Sequence, residues 1–196
     1  MTDITSEGPS IRRSSVASSV KLGVPGPDDQ GASQIDLVSY VELFYFAYRD
    51  FTCDPDTILE QYGFGRAHHR VLHFVHRNPG LKVAELLGIL KITKQSLARV
   101  LKQLVDENFI IEREGDEDRR ERRLYVSAKG ARLTDKLTQI QAKRFEVALA
   151  KAGPGADRLA RQFLFGMIAD KDRPHVEALL KMATNAQPRS TAEAAE

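Results

Sequence analysis

The stretch that most constrains this chain runs over residues 82–107, KVAELLGILKITKQSLARVLKQLVDE, and its periodicity predicts two helices joined by a short turn. In the second helix, over residues 93–107, Leu97, Val100, Leu101 and Leu104 fall on one stripe, whereas Lys94, Gln95, Ser96 and Arg99 lie off it. One face is built for a core; the other is polar. Thr93 is a candidate N-cap, so the start of this helix gathers unpaired backbone N–H groups, a hydroxyl, an amide and the cations Lys94 and Arg99. Those groups suit phosphates and base edges. The preceding helix, over 83–89, buries Val83, Leu86 and Leu87. The Leu90-Lys91-Ile92 link lets the second helix cross it steeply, as in a helix-turn-helix.

Amphipathicity by itself fits any packed pair of helices, but the residues beyond Glu107 narrow the choice. FIIERE, GDEDRRERR and LYVS read in turn as an apolar strand, a charged tip and a second strand. Residues 113–123 hold five Arg and five acids, so the tip is not simply a cationic hook. Asp118 is expected to pair with a neighbouring arginine and brace the turn, leaving one of Arg119, Arg120 or Arg122 for an adjacent minor groove or the DNA backbone. In isolation this would be a solvated charged hairpin. Beside the polar-fronted helix it has the order of a winged helix-turn-helix.

Asp118-Arg119-Arg120, followed by Leu124-Tyr125-Val126-Ser127 and Lys129-Gly130, resembles the wing signature of the MarR (multiple antibiotic resistance regulator) family. The run from Ile92 through Thr93, Lys94, Gln95, Ser96 and Arg99 to Leu101 resembles that family's recognition helix. Together the matches span residues 64–133. The resemblance implies a mainly α (α+β) fold: a winged helix-turn-helix with a two-stranded wing and a helical dimerisation bundle. It also implies a homodimer bound to double-stranded DNA, with an effector cleft between the DNA-binding lobe and the dimerisation helices. This sequence departs from the pattern in two places. Lys91 stands in the turn where the family commonly has Gly, so either it accepts a left-handed conformation at a cost of roughly 1 kcal/mol or the turn differs. Ser127 replaces the usual Thr, and either hydroxyl can cap the next helix.

The rest of the chain is read around this lobe, taken as residues 64–127 of a single domain over 33–184. Residues 1–32 and 185–196 are polar and expected to form disordered tails. Ser33, with Asp36 three positions on, is expected to cap a helix over 35–51 that is apolar on much of its circumference and needs partners on more than one side. Chain direction is expected to change through Cys53-Asp54-Pro55-Asp56 before the helix over 65–76. In the latter, His69, His73 and His76 form a stripe away from Ala67, Val71, Phe74 and Val75, either solvated or lining a pocket. With Phe44 and Tyr48 in the resembled family's cleft, His69 and His73 are candidate contacts to a small organic acid. Helices over 128–151, 157–169 and 172–182 complete the bundle, burying Leu159, Phe163, Leu164 and Met167 in the middle one and starting the last at Asp172.

Chemistry other than DNA binding finds little support. Arg70 follows His69 where a His-Glu-x-x-His motif needs its glutamate, and there is no phosphate loop or nucleophile motif, so the expectation is a non-enzyme without metal or cofactor. A metal response through the histidines or a redox response at Cys53 remains as an alternative, as does an architectural DNA-binding protein with no effector. The net charge of +2 is uninformative, although residues 34–184 carry 25 of the 29 basic residues and 21 of the 27 acidic ones. No apolar run approaches the ~20 residues needed to cross a bilayer, and a cytoplasmic location is expected. The expected function is a homodimeric transcriptional repressor on a palindromic operator, tuned by a small-molecule effector, in which Gln95 and Arg99 or Lys94 reach bases or phosphates.

Overall fold

Helical structure starts at Asp36, whose carboxylate accepts the Val38 amide at 3.1 Å, and α1 (Leu37–Glu60) follows. The computed structural model describes residues 36–115, 118 and 120–185, the last four by backbone alone. The expected cap at Ser33 and the tails expected over 1–32 and 186–196 lie outside the described residues. Asn185, expected in the tail, is the last residue of a helix. The change of direction expected at Cys53-Asp54-Pro55-Asp56 does not occur: α1 continues through Pro55 to Glu60. Proline removes one helical donor, but here Thr52, Pro55 and Leu59 are all buried, and packing overrides the breaker. Thr52 turns its Oγ1 back to the Tyr48 and Arg49 carbonyls at 3.0 and 3.1 Å, so its buried hydroxyl is satisfied.

The core belongs to the central part of the chain. α2 (Arg66–Arg77), β1 (Leu81–Lys82), α3 (Val83–Leu90) and α4 (Lys94–Asp106) lead into β2 (Ile110–Glu114) and β3 (Arg122–Val126), with α5 (Ala128–Ala152) behind them. Leu72, Leu86, Leu97, Leu104, Phe109 and Leu124 are fully buried among these elements. α4 ends in a Schellman turn. Asn108 takes the left-handed position at φ 58°, its amide donates to the Val105 carbonyl, and the Phe109 amide donates to that of Leu104 at 2.8 Å. This turn drives Phe109 into the core and starts β2. The sheet has three antiparallel strands in the order β1-β3-β2, one more than the expected hairpin. Its extra member, β1, is two residues long, too short for any alternation to be legible.

Beyond this lobe α6 (Ala156–Gly166) and α7 (Arg173–Asn185) follow. The expectation that α6 buries Leu159, Phe163, Leu164 and Met167 is incorrect for the single chain, in which all four are 45–58% exposed. Tyr40 on α1 meets Phe163 on α6 with ring centroids 6.3 Å apart. Leu37, Val38, Val41, Phe44, Tyr45, Phe46 and Tyr48 on α1 are likewise exposed, Tyr45 by 72%. Their periodic apolar pattern was legible; among the described residues nothing covers it. No helix among the described residues is long and apolar enough to cross a membrane.

Candidate nucleic-acid interface

α4 buries the expected stripe, Leu97, Val100, Leu101 and Leu104, which fixes its opposite face outward. At its start the Thr93 hydroxyl accepts the Ser96 amide at 3.1 Å and donates to Ser96 Oγ at 2.8 Å. Thr93, Lys94, Gln95 and Arg99 are exposed and Ser96 is half-buried, so all five expected residues lie at or beside one accessible helix end. Ahead of this helix the turn residue Lys91 sits at φ 50°, ψ 43°, the left-handed conformation that the substitution for glycine left open. Its amide closes α3 on the Leu87 carbonyl at 2.9 Å, and its ammonium binds Asp172 just ahead of α7. The Asp172 carboxyl is held below its usual pKa by that hydrogen bond.

The wing meets this helix end across a concavity of about 520 Å³, where Lys94 and Ala98 of α4 face Lys82 and Arg120, Glu121 and Arg122. Asp118 braces the tip through the main chain, its carboxylate accepting the backbone amide of Arg120 at 2.8 Å, and no arginine side chain among the described residues pairs with it. An Asx turn of this kind needs only the main chain, and so leaves the Arg120 guanidinium exposed. Arg122 lies 3.5 Å from Glu114 across the β2–β3 pair. Arg119 lies outside the described residues. None of Lys94, Arg99 and Arg120 is ion-paired among the described residues. Lys82 was missed in sequence because its place at this site comes from β1, through a pairing with β3 some forty residues along the chain.

The second set of expected residues is divided. Phe44 and Tyr48 line an apolar groove of about 630 Å³ between α1 and α6, with Tyr40, Phe163 and Met167. His69 and His73 do not line it. They are half-buried on α2, and the third member of the stripe, His76, hydrogen-bonds Asp135 of α5 at 3.0 Å. Burial lowers the His69 pKa, and burial together with the charges of His69, Arg77 and His76 lowers His73 to about 4, so both are neutral near pH 7. Beside them stands a cation that sequence reasoning did not single out: Arg66 bonds Asp56 at 2.8 Å and covers the Tyr48 ring at 5.5 Å. Cys53 is exposed on α1, and no group of three metal-ligating side chains occurs among the described residues.

Comparison with known proteins agrees with this geometry. A family model described as MarR family matches residues 62–121, the segment from the start of the lobe through the wing tip. The HTH-type transcriptional regulator PetP of Rhodobacter capsulatus is 46% identical over 139 residues, covering 71% of this chain and 84% of that protein. Among solved structures, MarR aligns with a TM-score of 0.51 at 21% identity, over 75% of this chain and 99% of that one. The transcriptional regulator SlyA aligns at 0.54 and 17%, over 76% and 99%. A SlyA-like regulator from Listeria monocytogenes aligns at 0.55 and 17%, over 76% and 97%.

Proposed function

Because this chain belongs to the MarR family of transcriptional regulators, we propose that it acts as a homodimer on duplex DNA, inserting α4 into the major groove of a palindromic operator. The observation that carries this reading is the convergence of Lys94 with Arg120 and Arg122 on one concavity, beside the Thr93-capped end of α4. Helix termini and cations bind phosphates, while Gln95 and Arg99, on the exposed face, suit adenine and guanine edges. Arg119, Arg120 and Arg122 would hold the flanking backbone or minor groove. The enzyme alternative gains no support from this surface.

The apolar faces of α1 and α6 support the homodimer. Large hydrophobic side chains left exposed in a contiguous pair of helices mark an association surface. A twofold partner would set two recognition helices about one duplex turn apart, ~34 Å, so that they read successive major grooves. A small organic acid bound in the groove beside Phe44 and Tyr48, or on α2 beside His69 and His73, would change that spacing, and a ligand preference of a few kcal/mol for the unsuited spacing releases the operator. Since His69 and His73 are neutral near pH 7, they offer hydrogen bonds to such an anion, and Arg66 is the nearby charge.

Selection from a random duplex library, followed by sedimentation of the free protein and the complex, tests the reading. A symmetric selected sequence bound by a dimer, with affinity falling steeply as salt rises, is the expected result. A monomer without affinity for duplex at low salt overturns it. Equal binding of selected and random duplex would instead indicate an architectural protein.

A further inference from the structure

The register of the sheet creates an electrostatic conflict. β1 and β3 pair so that Lys82 stands directly opposite Arg123, a placement in which like charges repel. One carboxylate offsets both. Glu121 accepts from Lys82 Nζ at 2.7 Å through Oε1, and its Oε2 lies 4.0 Å from the Arg123 guanidinium, whose Nε is buried without a hydrogen-bond partner among the described residues. The position of Glu121 is set by its backbone: its amide donates to the Asp118 carbonyl at 2.9 Å, and its carbonyl accepts the Gly115 amide at 3.0 Å. The carboxylate is thereby carried at the root of the wing tip.

Lys82 and Glu121 line the same concavity as Lys94, Arg120 and Arg122. Their side chains are 39% and 34% exposed, so solvent and solutes reach the pair. A carboxylate oxygen and a phosphate oxygen make the same hydrogen bond to an ammonium group, and here the carboxylate already holds that position from within the chain.

We propose that Glu121 masks Lys82 from duplex DNA, withdrawing one backbone contact from the cationic surface. The inference rests on the DNA-binding function proposed for α4 and the wing. A phosphate contact strengthens binding to every sequence alike, whereas base-edge contacts separate sequences. Masking Lys82 therefore lowers affinity for random duplex without touching the groups that read bases, and Glu121 acts on binding through Lys82 as a positioning residue.

The test compares wild type, E121Q, K82A and K82A/E121Q on a random-sequence duplex over a salt series, with each variant's fold checked by circular dichroism and thermal melting. E121Q should bind several-fold tighter with a salt slope steeper by about one contact, ~0.9, even if its melting temperature falls. K82A, which leaves the Glu121 carboxylate unpaired beside the duplex, should bind no tighter than wild type and keep the wild-type salt slope, and K82A/E121Q should lose the gain. Unchanged affinity in E121Q overturns the mask, as does a gain that persists in K82A/E121Q, which would reflect overall charge alone. If E121Q does not fold, the K82A slope decides: equal to wild type supports masking, and a slope shallower by ~0.9 overturns it. Wild type with no duplex affinity at low salt removes both this inference and the DNA-binding function beneath it, whereas wild-type binding with an unchanged E121Q removes the mask alone.

Discussion

Lys91 holds a left-handed backbone at φ 50°, ψ 43° while its ammonium reaches the carboxylate of Asp172, 81 residues along the chain. The turn ahead of α4 is thus tethered to the start of α7. A non-glycine residue in this conformation costs roughly 1 kcal/mol, and an exposed ion pair contributes little. Lys91→Gly is therefore expected to keep or raise the melting temperature while freeing α7, seen as faster amide exchange over residues 173–185. A clear loss of thermal stability would mean that the tether outweighs the strain.

Gly130 admits no side chain. A Cβ built there would lie 2.1 Å from the Phe109 carbonyl oxygen, which itself accepts the Ser127 amide at 3.0 Å. Backbone cannot move aside as a flexible side chain can. Gly130→Ala should cost at least the ~1 to 3 kcal/mol typical of overpacking, read from urea unfolding. A variant as stable as the parent would show that β2 and α5 can separate freely at this point.

His73 makes stability depend on pH. Burial, with the charges of His69, Arg77 and His76, lowers its pKa in the folded chain from 6.5 to about 4. Below about pH 6.5 the unfolded chain takes up a proton that the folded chain refuses until near pH 4, so stability is full above that window and falls as pH drops through it. The depressed carboxyls of Asp50 and Asp172 start below the ordinary 3.8 and act at still lower pH. Melting temperature measured from pH 7 to 4 should decline in wild type and decline less in His73→Leu, where the lowered pKa of His69 still acts. Parallel curves for the two proteins would remove His73 as the cause.

Arg99 is exposed on the face of α4 away from the core, without an ion-pair partner among the described residues. If it reads a base, Arg99→Ala should weaken binding to a selected duplex by ~1 to 3 kcal/mol and relax sequence preference at one position. An affinity lost equally for random duplex would make it a phosphate contact instead.

Thr93→Ala removes the side-chain acceptor for the Ser96 amide and should lower stability by ~1 kcal/mol, whereas Thr93→Ser should be close to neutral. Urea unfolding of the two variants checks this. Equal stabilities would mean that water or the neighbouring Ser96 hydroxyl satisfies the amide as well.

What the sequence determined by itself is what depends on neighbours three or four residues apart. The buried stripe of α4, the Thr93 cap and the Ser127 cap of α5 are local arrangements, and each is present as expected. Charge and strand order also located the wing, because β2 and β3 are joined by a short tip. Tertiary structure decided the rest. α1 passes through Pro55 because its surroundings bury that turn, a fact no local propensity contains. β1 exists only through its pairing with β3, and with it come Lys82 and its contact to Glu121. The histidine stripe has helical spacing in any context, but only the packed fold half-buries His69 and His73 and lowers their pKa values. Local hydrogen bonding and periodicity act along the chain and are written in it. Burial and cross-strand pairing depend on which distant segments meet, and only the folded chain supplies those meetings.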